Sequence, residues 1–188
     1  IKCRKAGLSP DAVVLVATVR ALKHQGGVAK ADLNNENTEA LNKGCVNLGR
    51  HIRNLSQFGV PVVVGINKFV SDTEAEFQVI RDYCVQFNVE VSVTSHWEHG
   101  GEGAIDLAEK VVKLADSGAA QFKTLYDDSL PLLEKVETIA KKLYHAEEVL
   151  ADKAVRNQLN WYQDNGFGHL PVCIAKTQYS FSTDPQLL

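Results

Sequence analysis

The sequence lacks several features that would assign a chain to a functional class at once. It contains no methionine and opens with IKCRKAGL, so we expect an excerpt from a longer chain. No apolar run approaches the ~20 residues that span a bilayer, and no signal-peptide pattern opens the chain. The four cysteines never have C-x-x-C spacing, which favours free buried thiols in a reducing compartment such as the cytoplasm: Cys3, Cys45, Cys84 and Cys173.

Known phosphate-binding and nucleophile motifs are also missing. The chain has no G-x-x-x-x-G-K-[ST], no G-x-G-x-x-G and no G-x-S-x-G. Its net charge is −3, with 23% charged and 45% hydrophobic residues, which gives no electrostatic indication of nucleic acid or an anionic membrane as a partner. Any triphosphate cradle is therefore expected outside these 188 residues or not at all.

Apolar runs and helical periodicity predict an α/β fold. Strands buried on both faces are predicted at 11–19, 60–67, 89–95 and 170–177. Helices are predicted at 34–58, from a Ser71–Glu74 capping box onward, and at 103–115, 131–144 and 147–164. The alternation implies a parallel sheet covered by helices, Rossmann-like or P-loop NTPase-like. We expect one α/β segment at 1–116 and a smaller, mostly helical α+β segment at 117–188 that ends in a strand.

Ligands of such sheets bind beyond the carboxyl ends of the strands, where the first loop is VATVRALKHQGG. Thr18 ends the strand, Arg20 and Lys23 follow, and Gly26-Gly27 permits a close backbone approach. Two cations and a hydroxyl suit a bound anion such as phosphate or carboxylate. The same spacing also fits a solvated helical turn that ends at the diglycine, and both interpretations stay open.

The second loop follows the strand in VVVGINKFVSDTEAE (62–76). Asn67-Lys68 after a buried strand suggests a guanine-reading loop, but N-K-x-D spacing requires an aspartate where the chain has Val70. Asp72 fits a helix start instead. Phe69 is then either a hydrophobic staple on the following helix or a contact to a ligand.

The third loop is TSHWEHGGEGA (94–104), which should lie beside the second loop at the same edge of the sheet. Phe69 and Trp97 could then clamp a flat heterocycle, with ~0.5–1.5 kcal/mol available beyond burial. His96 and His99 have no third ligand at a recognisable spacing, so we expect no metal site.

Taken together, these loops resemble formate–tetrahydrofolate ligase (10-formyltetrahydrofolate synthetase). VATVRALKHQGG is similar to the family signature, with Gln25 where histidine or asparagine is usual. VPVVVGINKFVSDTEAE, HWEHGGEG and GFGHLPVCIAKTQYS resemble further blocks in the same order, so the resemblance covers essentially the whole chain. It implies an ATP-dependent ligase of one-carbon metabolism that joins formate to N10 of tetrahydrofolate through formyl phosphate.

The resemblance also implies roles for individual residues. Phe69 and Trp97 would sandwich the pterin and neighbouring rings of the folate. Residues of the signature block and of the strand ends are candidates near nucleotide or substrate: Thr18, Arg20, Lys23, Asn67, Thr94 and Ser95.

Cofactors and partners are expected from the same resemblance. They are ATP with Mg²⁺ as co-substrate, tetrahydrofolate and formate as substrates, a monovalent cation, and further copies of the full-length chain, with no nucleic acid and no membrane. The family's glycine-rich phosphate loop and formyl-phosphate-handling cations lie upstream of Ile1, so the catalytic residues are expected there and this chain alone should be inactive. The alternative is a noncatalytic folate- or nucleotide-binding or assembly module on the same scaffold.

Overall fold

The computed structural model describes residues 1–175, 179, 181, 182 and 184, and for residues 2 and 3 the backbone only. The chain forms two compact units, one built on residues 10–122 and the other on residues 1–9 and 123–175. The first helix, α1 (Lys2–Lys5), belongs to the second of these units. Among the helices of the described part of the chain, none is both long and apolar enough to cross a membrane.

A parallel sheet is the centre of the 10–122 unit. Its strands are β1 (Val13–Ala17), β2 (Val62–Asn67) and β3 (Glu90–Thr94), in the order β1-β2-β3. Val13 lies opposite Val62, and Asn67 lies opposite Thr94. The α/β fold class and the first three predicted strands are confirmed. Burial on both faces holds for β2 but not for β1, where Val14 and Val16 are exposed.

Helices cover this sheet. They are α2 (Val19–Gln25), α3 (Thr38–Ser56), α4 (Glu74–Val85), α5 (His96–His99) and α6 (Ile105–Asp116), with 3₁₀ turns at Lys30–Asp32 and Gly100–Ala104. The apolar side of α3 packs with β2 and α4 in one core: Leu41, Cys45, Leu48, Ile52, Val64, Ile66, Phe77, Ile80 and Cys84.

Two glycines let α2 and α3 touch through their backbones. A Cβ at Gly26 would lie 1.8 Å from the carbonyl oxygen of Ala40, and a Cβ at Gly44 would lie 1.8 Å from that of Leu22. The close approach expected at Gly26-Gly27 therefore exists, but α3 is its partner at Gly26.

The start of α4 differs from the predicted capping box. Thr73 is the N-cap, its hydroxyl accepts from the backbone N–H of Glu76 at 3.3 Å, and the Glu76 carboxylate accepts from the N–H of Thr73 at 3.1 Å. The Ser71–Glu74 box was wrong, since the same four-residue pattern occurs twice in SDTEAE and the structure uses the second copy.

The other unit is helical over its described residues. It contains α7 (Leu132–Tyr144), α8 (Lys153–Tyr162) and a π-helical turn at Gln163–Phe167, where Gly166 has φ +88°. The strand predicted at 170–177 is wrong for residues 170–175, and its last two residues lie outside the described part. The backbone N–H of Val172 donates to the Tyr126 hydroxyl at 3.0 Å, a bond to a side chain where a strand would bond to a neighbouring backbone.

Candidate functional site

A cleft of about 360 Å³ opens beside the carboxyl ends of β2 and β3. Parallel strands end at one edge of the sheet, so the loops after β2 and β3 meet there. The structure thus brings both predicted aromatic residues and Asn67 to one cleft, whose lining is Asn67, Lys68, Phe69, Val70, His96 and Trp97.

Trp97 is tied to the neighbouring loop by its ring nitrogen. Its Nε1–H donates to the carbonyl oxygen of Lys68 at 2.8 Å, and the N–H of Lys68 donates to the carbonyl oxygen of Thr94 at 3.0 Å. The Trp97 side chain is nevertheless 53% exposed. A ring that is fixed at one edge and open to the cleft is suited to stacking on a ligand.

Phe69 is held from two sides. Its N–H donates to Oδ2 of Asp72 at 2.8 Å, and the guanidinium of Arg20 lies 5.3 Å from its ring centroid. Phe69 is 37% exposed, and the residue just before the N-cap of α4 is Asp72, so the apolar residue that a hydrophobic staple needs at that place is absent. The staple interpretation of Phe69 loses its support.

The other predicted residues of the first loop point elsewhere. Lys23 is fully buried, and its Nζ donates to Glu76 Oε1 at 2.8 Å and to the carbonyl oxygen of Asn35 at 2.9 Å. Thr18 is the N-cap of α2, where its hydroxyl accepts from the N–H of Ala21 at 3.2 Å. Of the two cations expected to serve a ligand, only Arg20 contacts the aromatic loop.

The predicted residues at the strand ends differ in the hydrogen-bond partners of their side chains. Asn67 lines the cleft, and its buried Oδ1 has no hydrogen-bond partner among the described residues. The buried Thr94 hydroxyl donates to the carbonyl oxygen of Ile66 at 3.0 Å, and Oγ of Ser95 lies 3.2 Å from Nδ1 of His99.

The electrostatics of the site centre on Asp72. Burial raises the pKa of its carboxyl group, while the hydrogen bond from Phe69 and the cations Lys23 and Arg20 act in the opposite direction.

No group of three or more side chains able to hold a metal occurs in the part of the chain that the structure describes. The cleft, with the partly exposed rings of Phe69 and Trp97 and the amide of Asn67, is suited to binding a flat, partly polar molecule.

The sequence model for formate–tetrahydrofolate ligase matches residues 1–188. The chain belongs to the formate–tetrahydrofolate ligase family. The formate–tetrahydrofolate ligase of Dinoroseobacter shibae is 62% identical over 185 residues, covering 98% of this chain and 33% of the relative. Those of Ruegeria sp. (strain TM1040) and Rhizobium rhizogenes are 61% and 62% identical over 187 residues, covering 100% of this chain and 34% of each relative.

The chain therefore spans about a third of the length of the formate–tetrahydrofolate ligases it matches. Sequence reasoning predicted that Phe69 and Trp97 lie together but missed the contact of Asp72 with Phe69. The available signal was an aspartate three residues after an aromatic residue in a polar turn, a spacing at which a carboxylate can bond to a nearby backbone N–H.

Proposed function

We propose that this chain is one part of an ATP-dependent ligase that joins formate to N10 of tetrahydrofolate through formyl phosphate, and that it supplies the folate-ring site. Family membership over residues 1–188 supports the activity. The observation that carries the site is the hydrogen bond from Trp97 to Lys68, which holds the Trp97 ring against the loop of Phe69. ATP would activate formate, a poor electrophile until phosphorylation provides a leaving group.

The cleft suits a fused heterocycle. Two partly exposed rings lie on loops that a hydrogen bond joins, and Asn67 adds an amide to the same lining. Small-molecule sites are mostly apolar, with a few polar groups that orient the ligand. A pterin ring with polar edges matches that combination, stacked on Phe69 and Trp97.

Phosphate chemistry is assigned to no residue of this chain. The 188 residues contain no phosphate-loop motif, and the described residues include no group of three or more His, Cys, Asp or Glu side chains that could hold a metal ion. ATP with Mg²⁺ and a monovalent cation are part of the proposal. Arg20, Asn67 and Ser95 remain candidates near nucleotide or substrate. A cytoplasmic location and assembly into homo-oligomers are part of the same proposal.

Calorimetric titration of tetrahydrofolate into the complete polypeptide encoded by the gene tests the ring site. Replacing Trp97 with alanine should weaken binding roughly tenfold or more, because stacking and apolar burial are lost together. Trp161, which is 56% exposed in the other unit, supplies the matched control, and Trp161→Ala should leave the affinity unchanged. Equal affinities of Trp97→Ala and wild type would remove the folate assignment.

A noncatalytic folate- or nucleotide-binding or assembly module on the same scaffold is the rival. Formation of 10-formyltetrahydrofolate from ATP, formate and tetrahydrofolate separates the two. We expect turnover by the complete polypeptide and none by the 188-residue chain alone. Turnover by the 188-residue chain would contradict the proposal that this chain supplies only the folate-ring site. Tetrahydrofolate binding without turnover by the complete polypeptide would favour the noncatalytic module.

A further inference from the structure

The turn that carries Phe69 is closed by a single residue. The N–H of Phe69 donates to Oδ2 of Asp72 at 2.8 Å, and the carbonyl oxygen of Phe69 accepts from the N–H of Asp72 at 3.0 Å. Both backbone polar groups of Phe69 are thus used by Asp72. These two bonds fix the backbone from which the Phe69 ring projects.

Asp72 occupies a costly place for a carboxylate. It is only 8% exposed, and its Oδ1 has no hydrogen-bond partner among the residues that the structure describes. Burying a carboxylate oxygen without a donor costs free energy. Local choices that cost stability are expected at sites where another requirement dominates. Here the geometry of the Phe69 turn is that requirement.

The charged groups around Asp72 complete the arrangement. Arg20 and Lys23 act on it as cations, and Glu76 acts on it as a second carboxylate. Arg20 also lies over the Phe69 ring, at 5.3 Å from its centroid, so the ring and the carboxylate share one cation. Lys23 is itself bound to Glu76 at 2.8 Å. Arg20 therefore holds the ring while Asp72 holds the backbone beneath it.

We propose that Asp72 is a positioning residue for ligand binding at Phe69, acting through the hydrogen bond from the Phe69 N–H to its carboxylate. The inference rests on the proposed function, because it takes Phe69 as one wall of the folate-ring site. It assigns Asp72 no contact with the ligand.

The test measures tetrahydrofolate affinity by calorimetry in the complete polypeptide. Asp72→Ala should weaken binding roughly three- to tenfold, the effect of one net hydrogen bond. Asp72→Asn keeps an oxygen that can accept from Phe69 and should stay within about twofold of wild type. In a Phe69→Ala background, Asp72→Ala should add less than about twofold, because residues that act through one another are not additive.

Thr73→Ala is the matched control. Thr73 caps the same helix and is adjacent to Asp72, but its hydroxyl bonds to Glu76 and not to Phe69. It should lower the urea midpoint of unfolding and leave tetrahydrofolate affinity unchanged. If Thr73→Ala weakens binding as much as Asp72→Ala, or if the Asp72→Ala and Phe69→Ala effects simply add, Asp72 is a stabilising residue only and the proposal fails.

A second readout separates this inference from the folate assignment. Amide hydrogen exchange should show the Phe69 N–H protected in wild type and Asp72→Asn, and exchanging roughly tenfold faster or more in Asp72→Ala. Phe69 exchange that is equal in wild type and Asp72→Ala overturns the positioning role. Protection by Asp72 with no tetrahydrofolate binding in wild type would instead overturn the proposed function, and with it the role of Asp72 at a ligand site.

Discussion

Each compact unit contains a fully buried lysine, and the two ammonium groups are stabilised in different ways. Lys23 in the 10–122 unit faces a carboxylate, with its Nζ 2.8 Å from Glu76 Oε1. Lys135 in the other unit donates to three backbone carbonyl oxygens, those of Asp128, Gly168 and Leu170, at 2.7, 2.6 and 3.1 Å. One ammonium has a counter-charge, and the other is surrounded by dipoles.

The two buried lysines also join different segments of the chain. Glu76 also accepts from the N–H groups of Asn37 and Thr73, so the Lys23–Glu76 pair joins α2 and the starts of α3 and α4. Lys135 binds carbonyl groups at residues 168 and 170, at the point where the predicted strand 170–177 would begin. Loss of either partner of a buried ion pair leaves an uncompensated charge in the interior, whereas removal of a cation that is bound by carbonyl groups leaves no charge behind.

The largest effect is expected at Glu76. Glu76→Gln leaves the Lys23 ammonium buried without its counter-charge and should lower the free energy of unfolding by about 3–5 kcal/mol. Urea denaturation followed by circular dichroism measures it. The double variant Lys23→Met/Glu76→Gln should be more stable than Glu76→Gln alone. A double variant that is less stable than both single variants would contradict the ion-pair interpretation.

A smaller loss is expected at Lys135. Lys135→Met removes three hydrogen bonds but leaves no unpaired charge, so the cost should be about 1–3 kcal/mol. Lys141→Met, at an exposed position of the same helix, is the control and should stay within about 0.5 kcal/mol of wild type. A larger loss of unfolding free energy in Lys135→Met than in Glu76→Gln would contradict the idea that the unpaired charge is the more destabilising of the two.

The pH dependence of stability sharpens the contrast. Burial lowers the pKa of Lys135 below its ordinary value of 10.5, with Arg4 and Lys5 acting in the same direction and Asp128 and Asp127 opposing. Between the lowered folded pKa and 10.5, the unfolded chain binds more protons, so the contribution of Lys135 to stability rises with pH in that window.

The measurement is the difference in unfolding free energy between wild type and Lys135→Met at a series of alkaline pH values. The difference should grow as pH rises towards 10.5 and then level off. A difference that shrinks over that range would mean that the fold favours the charged form.

The smallest effect concerns the thiols, of which Cys45 and Cys84 are buried as predicted and Cys173 is exposed, contrary to the prediction. Burial raises the pKa of Cys45 to about 12 and that of Cys84 to about 11. Because only the thiolate reacts, both cysteines should be unreactive at pH ~8. Cys173 is exposed and should react. In a Cys3→Ser variant, an aromatic disulfide reagent should therefore titrate one thiol quickly. Rapid titration of three would show that the core opens readily.

Much of the fold was predictable because its signals are local. The valine-rich runs predict β1, β2 and β3, and the periodicity of 34–58 predicts α3. The placement of Phe69 and Trp97 at one edge was also predictable, because the carboxyl ends of parallel strands meet at the same edge of a sheet. That β2 and β3 are neighbours is shown by the structure. The strand predicted at 170–177 fails in its described part, where backbone groups bond to the side chains of Lys135 and Tyr126.

The site was less predictable where partners are far apart in sequence. Lys23 in a cationic loop suggests an anion site, yet its partner Glu76 lies 53 residues further on. The helix start in SDTEAE is a choice between two equal patterns. Glu76 is needed by Lys23 and Asp72 by Phe69, so α4 begins after Thr73.

The sequence by itself determined the family, the first three strands, the main helices of the 10–122 unit, and the position of Phe69 and Trp97 in the loops after β2 and β3. These depend on residue patterns within a few turns of the chain. Tertiary structure alone decided which polar side chains face the cleft and which close the core. Lys23, Lys135 and Asp72 have no local mark of burial, because a buried charge is stable only when distant groups supply its hydrogen bonds and counter-charges.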